Sequence, residues 1–185
     1  KDLYKNPLIY MFVIALTFGL VAESVIQTWF ISYMRESYSL SPADASTYAS
    51  IFFLLFAIGR LFGGFIINKT GSCKGLKIFL FLAALCLTAG LQLKQDGLML
   101  VAASGLFISI IFPTMMVIIS SAFKQNSSFA IGLIVTISDI LYVVLFNMTG
   151  ALNDLLGTYA AFYAAPASVA GCLLMMIFIS KKVKL

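Results

Sequence analysis

The chain has 185 residues, 62% of them hydrophobic and only 10% charged, with a mean hydropathy of +1.05 and a formal net charge of +5. A water-soluble domain carries roughly a quarter of its residues charged, so this composition excludes one. The positive balance does not indicate nucleic acid either: the lysines sit in short turns between apolar runs, and no basic stripe interleaves with aromatic residues.

At about 20 apolar residues per bilayer crossing, the sequence predicts an all-α polytopic membrane protein of six transmembrane helices. The first runs from Pro7 to Met34, and Pro7 suits its opening turn. Glu23 and Gln27 lie one turn apart on one face of it. A carboxylate stacked on an amide in this way can bind a polyol or hold a proton. Trp29, Phe30, Tyr33 and Tyr38 gather at the outer end of this span, as in an aromatic belt. For Trp29, an anchoring role and a role in a site both stay open.

The second span, Asp44 to Asn68, follows Pro42 and Asp44 as start signals. It carries Arg60, then Gly63 and Gly64, and exits through Asn68, Lys69, Gly71 and Lys74. Lipid does not solvate a guanidinium, so Arg60 must face protein or trapped water. The third span covers Leu76 to Leu93. The fourth, Gly97 to Phe123, contains Ser104, Gly105, Ser109, Pro113 and Thr114. Mid-helix, Pro113 frees a carbonyl and bends the axis. The small residues around it serve either close helix packing or the lining of a cavity at the bend. The fifth span, Ser128 to Leu152, is the most polar, with Thr136, Asp139, Tyr142, Asn147 and Thr149. The sixth, Tyr159 to Ile179, is rich in small residues and reads as packing or lipid-facing.

Charge between the spans sets a topology. Nine lysines (positions 1, 5, 69, 74, 77, 124, 181, 182 and 184) fall on one side, against Arg35 and Lys94 on the other. That bias predicts a multi-pass protein of the cell membrane with both termini cytoplasmic. Three ionisable residues then lie within the spans: Glu23, Arg60 and Asp139. Each costs about 2.5–3.5 kcal/mol at a helix centre, so partners are required. Counted by helical rise from the inner face, Arg60 matches Asp139 best in depth and Glu23 less well. The expectation is a switchable Arg60–Asp139 ion pair, which either only holds the bundle together or takes part in function.

Enzyme chemistry has little to work with. Histidine is absent, and Cys73, Cys86 and Cys172 are too dispersed for a disulfide framework or a zinc site. No Walker loop, dinucleotide turn or GxSxG elbow is present, so no cofactor and no metal are expected. The chain starts at Lys1 without a signal-peptide pattern, which reads as a piece of something longer.

Gly64, Asn68, Lys69, Gly71 and Lys74 resemble the loop signature G-xxx-D-R/K-x-G-xx-R/K of the major facilitator superfamily, with Asn68 where the signature has Asp. Glu23, Trp29 and Tyr33, with GR-xx-GG at Gly59 to Gly64 and FPT at Phe112 to Thr114, are similar to the fucose/glucose/galactose-type sugar permeases within it. The resemblance implies the C-terminal half of a twelve-helix transporter. That half is built as two inverted three-helix repeats, approximately 1–95 and 96–185, in a single domain. Its partners would be the N-terminal six-helix half or a second copy, the lipid bilayer and a small-molecule solute. Glu23, Gln27, Ser109 and Thr114 would then look into a central cavity, and Arg60, Asp139 and Tyr142 would lie beside the seam between halves. A multidrug or organic-cation exporter and a six-span scaffold without a transport cycle are the competing readings.

Overall fold

A computed structural model describes residues 3–183. All regular structure among them is helical. The elements are α1 (Pro7–Tyr38), α2 (Pro42–Thr70), α3 (Ser72–Gln92), α4 (Leu98–Ile108), α5 (Ile111–Phe123), α6 (Ser127–Leu156), α7 (Thr158–Phe162) and α8 (Ala164–Lys182). Five helical stretches are long and apolar enough to cross a membrane. One of them, Lys94–Leu156, has 63 residues and would measure about 95 Å if straight, roughly three bilayer cores. It is not straight. Lys124, at φ 40°, separates α5 from α6, and the two helices pack against each other.

Local chemistry explains the boundaries. The Asn6 side chain accepts from the Leu8 amide and Pro7 occupies the first helical position, starting α1 as predicted. Ser41 accepts the Asp44 amide and donates to its carboxylate, starting α2. The junctions between long helices are very short, and each contains one residue at positive φ: Ser39, Gly71, Lys94, Lys124 or Gly157. Gly71 alone joins α2 to α3 and Gly157 alone joins α6 to α7, both at φ 83°. That backbone region is open to glycine at no steric cost.

The two internal breaks have a common cause. Pro113 has no N–H for the Ser109 carbonyl and Pro166 none for the Phe162 carbonyl, and the helix interrupts at Ser109–Ile110 and at Tyr163. The bend before Pro113 matches expectation. The break before Pro166 was not foreseen, because an alanine-rich run surrounds it.

α1 packs chiefly against α6 and α8, whereas α4 packs chiefly against α2 and α3, and α3 meets α8 between them. Buried hydroxyls pin α1 to α6. Thr17 donates to Val13 O at 2.8 Å and Ser138 O at 3.4 Å, while Ser138 Oγ donates to Val13 O at 3.2 Å. Glycine governs the other close approach. A Cβ on Gly59 would meet Ser109 Oγ at 2.2 Å and the Leu106 carbonyl at 2.4 Å, and one on Gly105 would meet the Phe52 carbonyl at 2.7 Å. Gly64, by contrast, has nothing within 4 Å of such a Cβ. Gly59→Ala is therefore expected to destabilise the purified protein by about 1–3 kcal/mol in a detergent melt. Gly64→Ala should stay within about 0.5 kcal/mol of the parent. Equal effects would mean that α2 and α4 do not touch as described.

The aromatic cluster at the end of α1 is only partly a membrane belt. Phe30 and Tyr33 are buried, and the Phe162 ring of α7 stacks on Tyr33 at 4.4 Å between centroids. These rings are core that α7 covers. Tyr33 and Tyr38 also share a hydrogen bond of 2.6 Å between their hydroxyls.

Candidate functional site

Arg60 is the centre of the one constellation in which charged side chains from different helices meet among the described residues. Its Nη2 lies 3.2 Å from Glu23 Oε1, tying α2 to α1. Its Nε donates to the Ser109 carbonyl at 3.4 Å, tying α2 to the break between α4 and α5. Its guanidinium also stands 4.7 Å over the ring of Phe56, one turn earlier on α2. The same Glu23 oxygen accepts from Gln27 Nε2 at 3.1 Å, so the stacked pair read from the sequence forms.

The Ser109 contact follows from the proline. An ordinary residue at position 113 would donate its amide to the Ser109 carbonyl; Pro113 cannot. A carbonyl so freed inside an apolar bundle costs about 1–3 kcal/mol if left alone, and the arginine supplies a charged donor. Gly59, directly before Arg60, lets α2 come close enough for this. Ser109 thus contributes its backbone carbonyl. Its hydroxyl is buried and donates to Leu106 O at 3.0 Å, so it does not look into a cavity.

The expected Arg60–Asp139 pair does not form: Glu23 holds the arginine instead. Register accounts for this. The Ser138 contacts with Val13 and Thr17 place Asp139 about two helical turns, on the order of 10 Å, along α1 from Glu23. α6 lies against α1 and α5, whereas α2 lies against α4. Helical rise gives relative depth only for helices that start at one level, and the register of α6 against α1 departs from that. Asp139 is exposed on α6. Tyr142 is half-buried and stacks on Phe146 at 5.7 Å, apart from the arginine cluster.

Below Arg60 a small cleft of about 120 Å³ opens between α2 and α5, lined by Gly64, Asn68, Pro113, Thr114 and neighbouring aliphatic side chains. It gathers the bend residues and the first part of the basic exit. Asn68, Lys69 and Lys74 are exposed, and Gly71 is the one-residue joint. The Arg60 side chain is half exposed while Glu23 is mostly covered, so the cluster opens to one face of the bundle. The Phe56 contact, the Gly59 approach and the Ser109 carbonyl were not read from the sequence. A basic residue four positions after an aromatic one was the available signal for the first.

The site can do two things chemically. A carboxylate oxygen already shared by an amide and a guanidinium can exchange either donor for a hydroxyl of a bound solute. A proton placed on Glu23 would weaken its hold on Arg60. The family model described as Major Facilitator Superfamily matches residues 8–184 of the chain. No curated protein matches it.

Proposed function

The chain belongs to the major facilitator superfamily, whose members are membrane transporters, and from that premise we propose that it is the C-terminal six-helix half of a secondary transporter for a small polar solute. We assign the solute to the sugars, the mechanism to alternating access and the coupling to protons held at Glu23. The observation that carries this reading is the single Glu23 oxygen shared by Gln27 and Arg60. A half-exposed guanidinium inside an apolar bundle is too costly against lipid. It calls for a wet seam, which a second six-helix half or a second copy would close.

Six crossings arranged as two inverted three-helix repeats suit the joints and the packing. Gly71 and Gly157 occupy equivalent joints with equal φ, and the first helix of each unit packs on the second and third of the other. The division near residue 95 falls at the Lys94 turn. The lysine distribution supports a cell or inner membrane location with both termini on the cytoplasmic side. In this arrangement α1 and α5 supply the cavity wall, with Thr114 beside the bend, and Asp139 and Tyr142 line the far flank. Alternating access then becomes rocking of this half against its partner about a midplane site.

A second reading, an exporter of lipophilic cations, is favoured by an apolar cleft of about 150 Å³ between α1 and α6, lined by Ile14, Phe18, Leu141 and Val144 among others. Trp29 separates the two. It is the only tryptophan in the chain and lies on α1 less than two turns beyond Glu23. A sugar panel is expected to change tryptophan emission saturably in the complete transporter, and Trp29→Phe to abolish that change. A response to lipophilic cations alone would replace the sugar reading with the exporter. No response to either class would leave a scaffold.

A further inference from the structure

α3 and α8 meet in a positively charged end that no acidic side chain pairs among the described residues. Lys77 of α3 donates to Ser180 Oγ of α8 at 3.0 Å across the seam, so the two ends are level. Lys74 lies one turn from Lys77, and Lys181 and Lys182 follow Ser180 in the last turn of α8. No acidic residue occurs between Asp44 and Asp96 or after Asp154. Lys77 is half-buried, and a neutral hydroxyl is its partner. Helix stability does not explain the placement, since cations in the opening turns of α3 oppose its dipole. Orientation in the membrane asks only for exposed lysines in loops, not for one drawn into a helix seam.

Apolar stripes lead away from these lysines. On α3, Lys74 heads a face continued by Ile78, Phe81 and Leu85 at helical spacing, all exposed. On α8, Leu174 and Phe178 are exposed and run toward Lys181 in the same way. A cluster of four cations at the head of two adjacent apolar stripes is complementary to one kind of molecule: an amphiphile with an anionic head.

We propose that the lysine end of the α3–α8 seam is a binding site for the phosphate headgroup of an anionic phospholipid, whose acyl chains lie along the exposed stripes of the two helices. The lysines act as point charges on the phosphate, each contributing about a fivefold gain in affinity. Lys77 serves as the inner contact, because Ser180 holds its ammonium in the seam.

The test is a melt of the full chain in detergent micelles titrated with phosphatidylglycerol, phosphatidylcholine of matched chains, or inorganic phosphate. Phosphatidylglycerol is expected to raise the melting temperature saturably, with the other two without effect. Each of Lys74→Gln, Lys77→Gln and Lys181→Gln should weaken the apparent affinity about fivefold, and Lys124→Gln, at the α5–α6 turn, should not. An equal shift from phosphatidylcholine, a shift reproduced by phosphate alone, or a triple glutamine variant that keeps parent affinity would each overturn the site. Should the triple variant fail to fold, the parent decides. Its affinity for phosphatidylglycerol must fall with rising salt, and salt-independent binding would refute the proposal.

Discussion

Glu23→Gln is expected to cut solute uptake by the complete transporter at least about tenfold, and up to about a hundredfold, while the protein folds as before. The charged hydrogen bonds that Glu23 accepts are worth about 1.5–3 kcal/mol each, and each 1.4 kcal/mol is a factor of ten. Glutamine keeps the shape and can still accept from Gln27, so the local packing survives. What it loses is the charge that holds Arg60 at 3.2 Å and the site where a proton could reside. Stability should change little, because a half-exposed pair contributes on the order of 0–1 kcal/mol. Arg60 also keeps its contacts with Ser109 and Phe56. The checks are uptake of labelled solute into vesicles and a thermal melt of the same preparation. Unchanged uptake would remove Glu23 from the mechanism. Loss of uptake with Asp139→Asn instead would move the coupling site to α6.

The membrane helices were legible because hydrocarbon leaves the chain no choice. Apolar runs bounded by Pro7, Ser41, Gly71 and Gly157 must close their own hydrogen bonds, and the caps are local. α1 and α2 accordingly start within two residues of expectation. The bend before Pro113 was legible for the same reason, as a missing N–H is written in one residue. Partners were less legible. Whether Arg60 meets Glu23 or Asp139 depends on the sliding of α6 along α1, and the hydroxyls of Thr17 and Ser138 set that across more than a hundred positions of sequence. Phe30 and Tyr33 resemble belt residues until α7 folds over them. Sequence points to the Ser109 hydroxyl, whereas its carbonyl makes the contact, and side-chain chemistry alone gives no hint of that. Of the adjacent Gly63 and Gly64, only the first faces a neighbour: its Cβ would meet Ile110 Cγ2 at 2.3 Å.

The second large effect is a coupling. Arg60→Met alone is expected to destabilise the protein by about 1–3 kcal/mol, chiefly because it orphans the Ser109 carbonyl. Methionine keeps an unbranched aliphatic side chain at the position, so the loss reports the guanidinium, its place over the Phe56 ring included. Pro113→Ala restores an amide that can reach the Ser109 carbonyl, so in that background Arg60→Met should cost about 1–2 kcal/mol less. The double-mutant cycle, read from unfolding in detergent, therefore predicts a non-zero interaction between two residues that line one cleft and communicate through one backbone oxygen. Additivity within about 0.5 kcal/mol would show that the 3.4 Å approach contributes nothing. A coupling of the predicted size has a mechanical consequence. The helix bend and the Glu23 carboxylate share one cation through different nitrogens, so a solute that pulls Arg60 away from the Ser109 carbonyl also releases the bend. Pro113→Ala, having filled the carbonyl permanently, should then bind solute with the bend already uncoupled. Its Trp29 response would persist while uptake falls, a separation that a merely structural arginine would not produce.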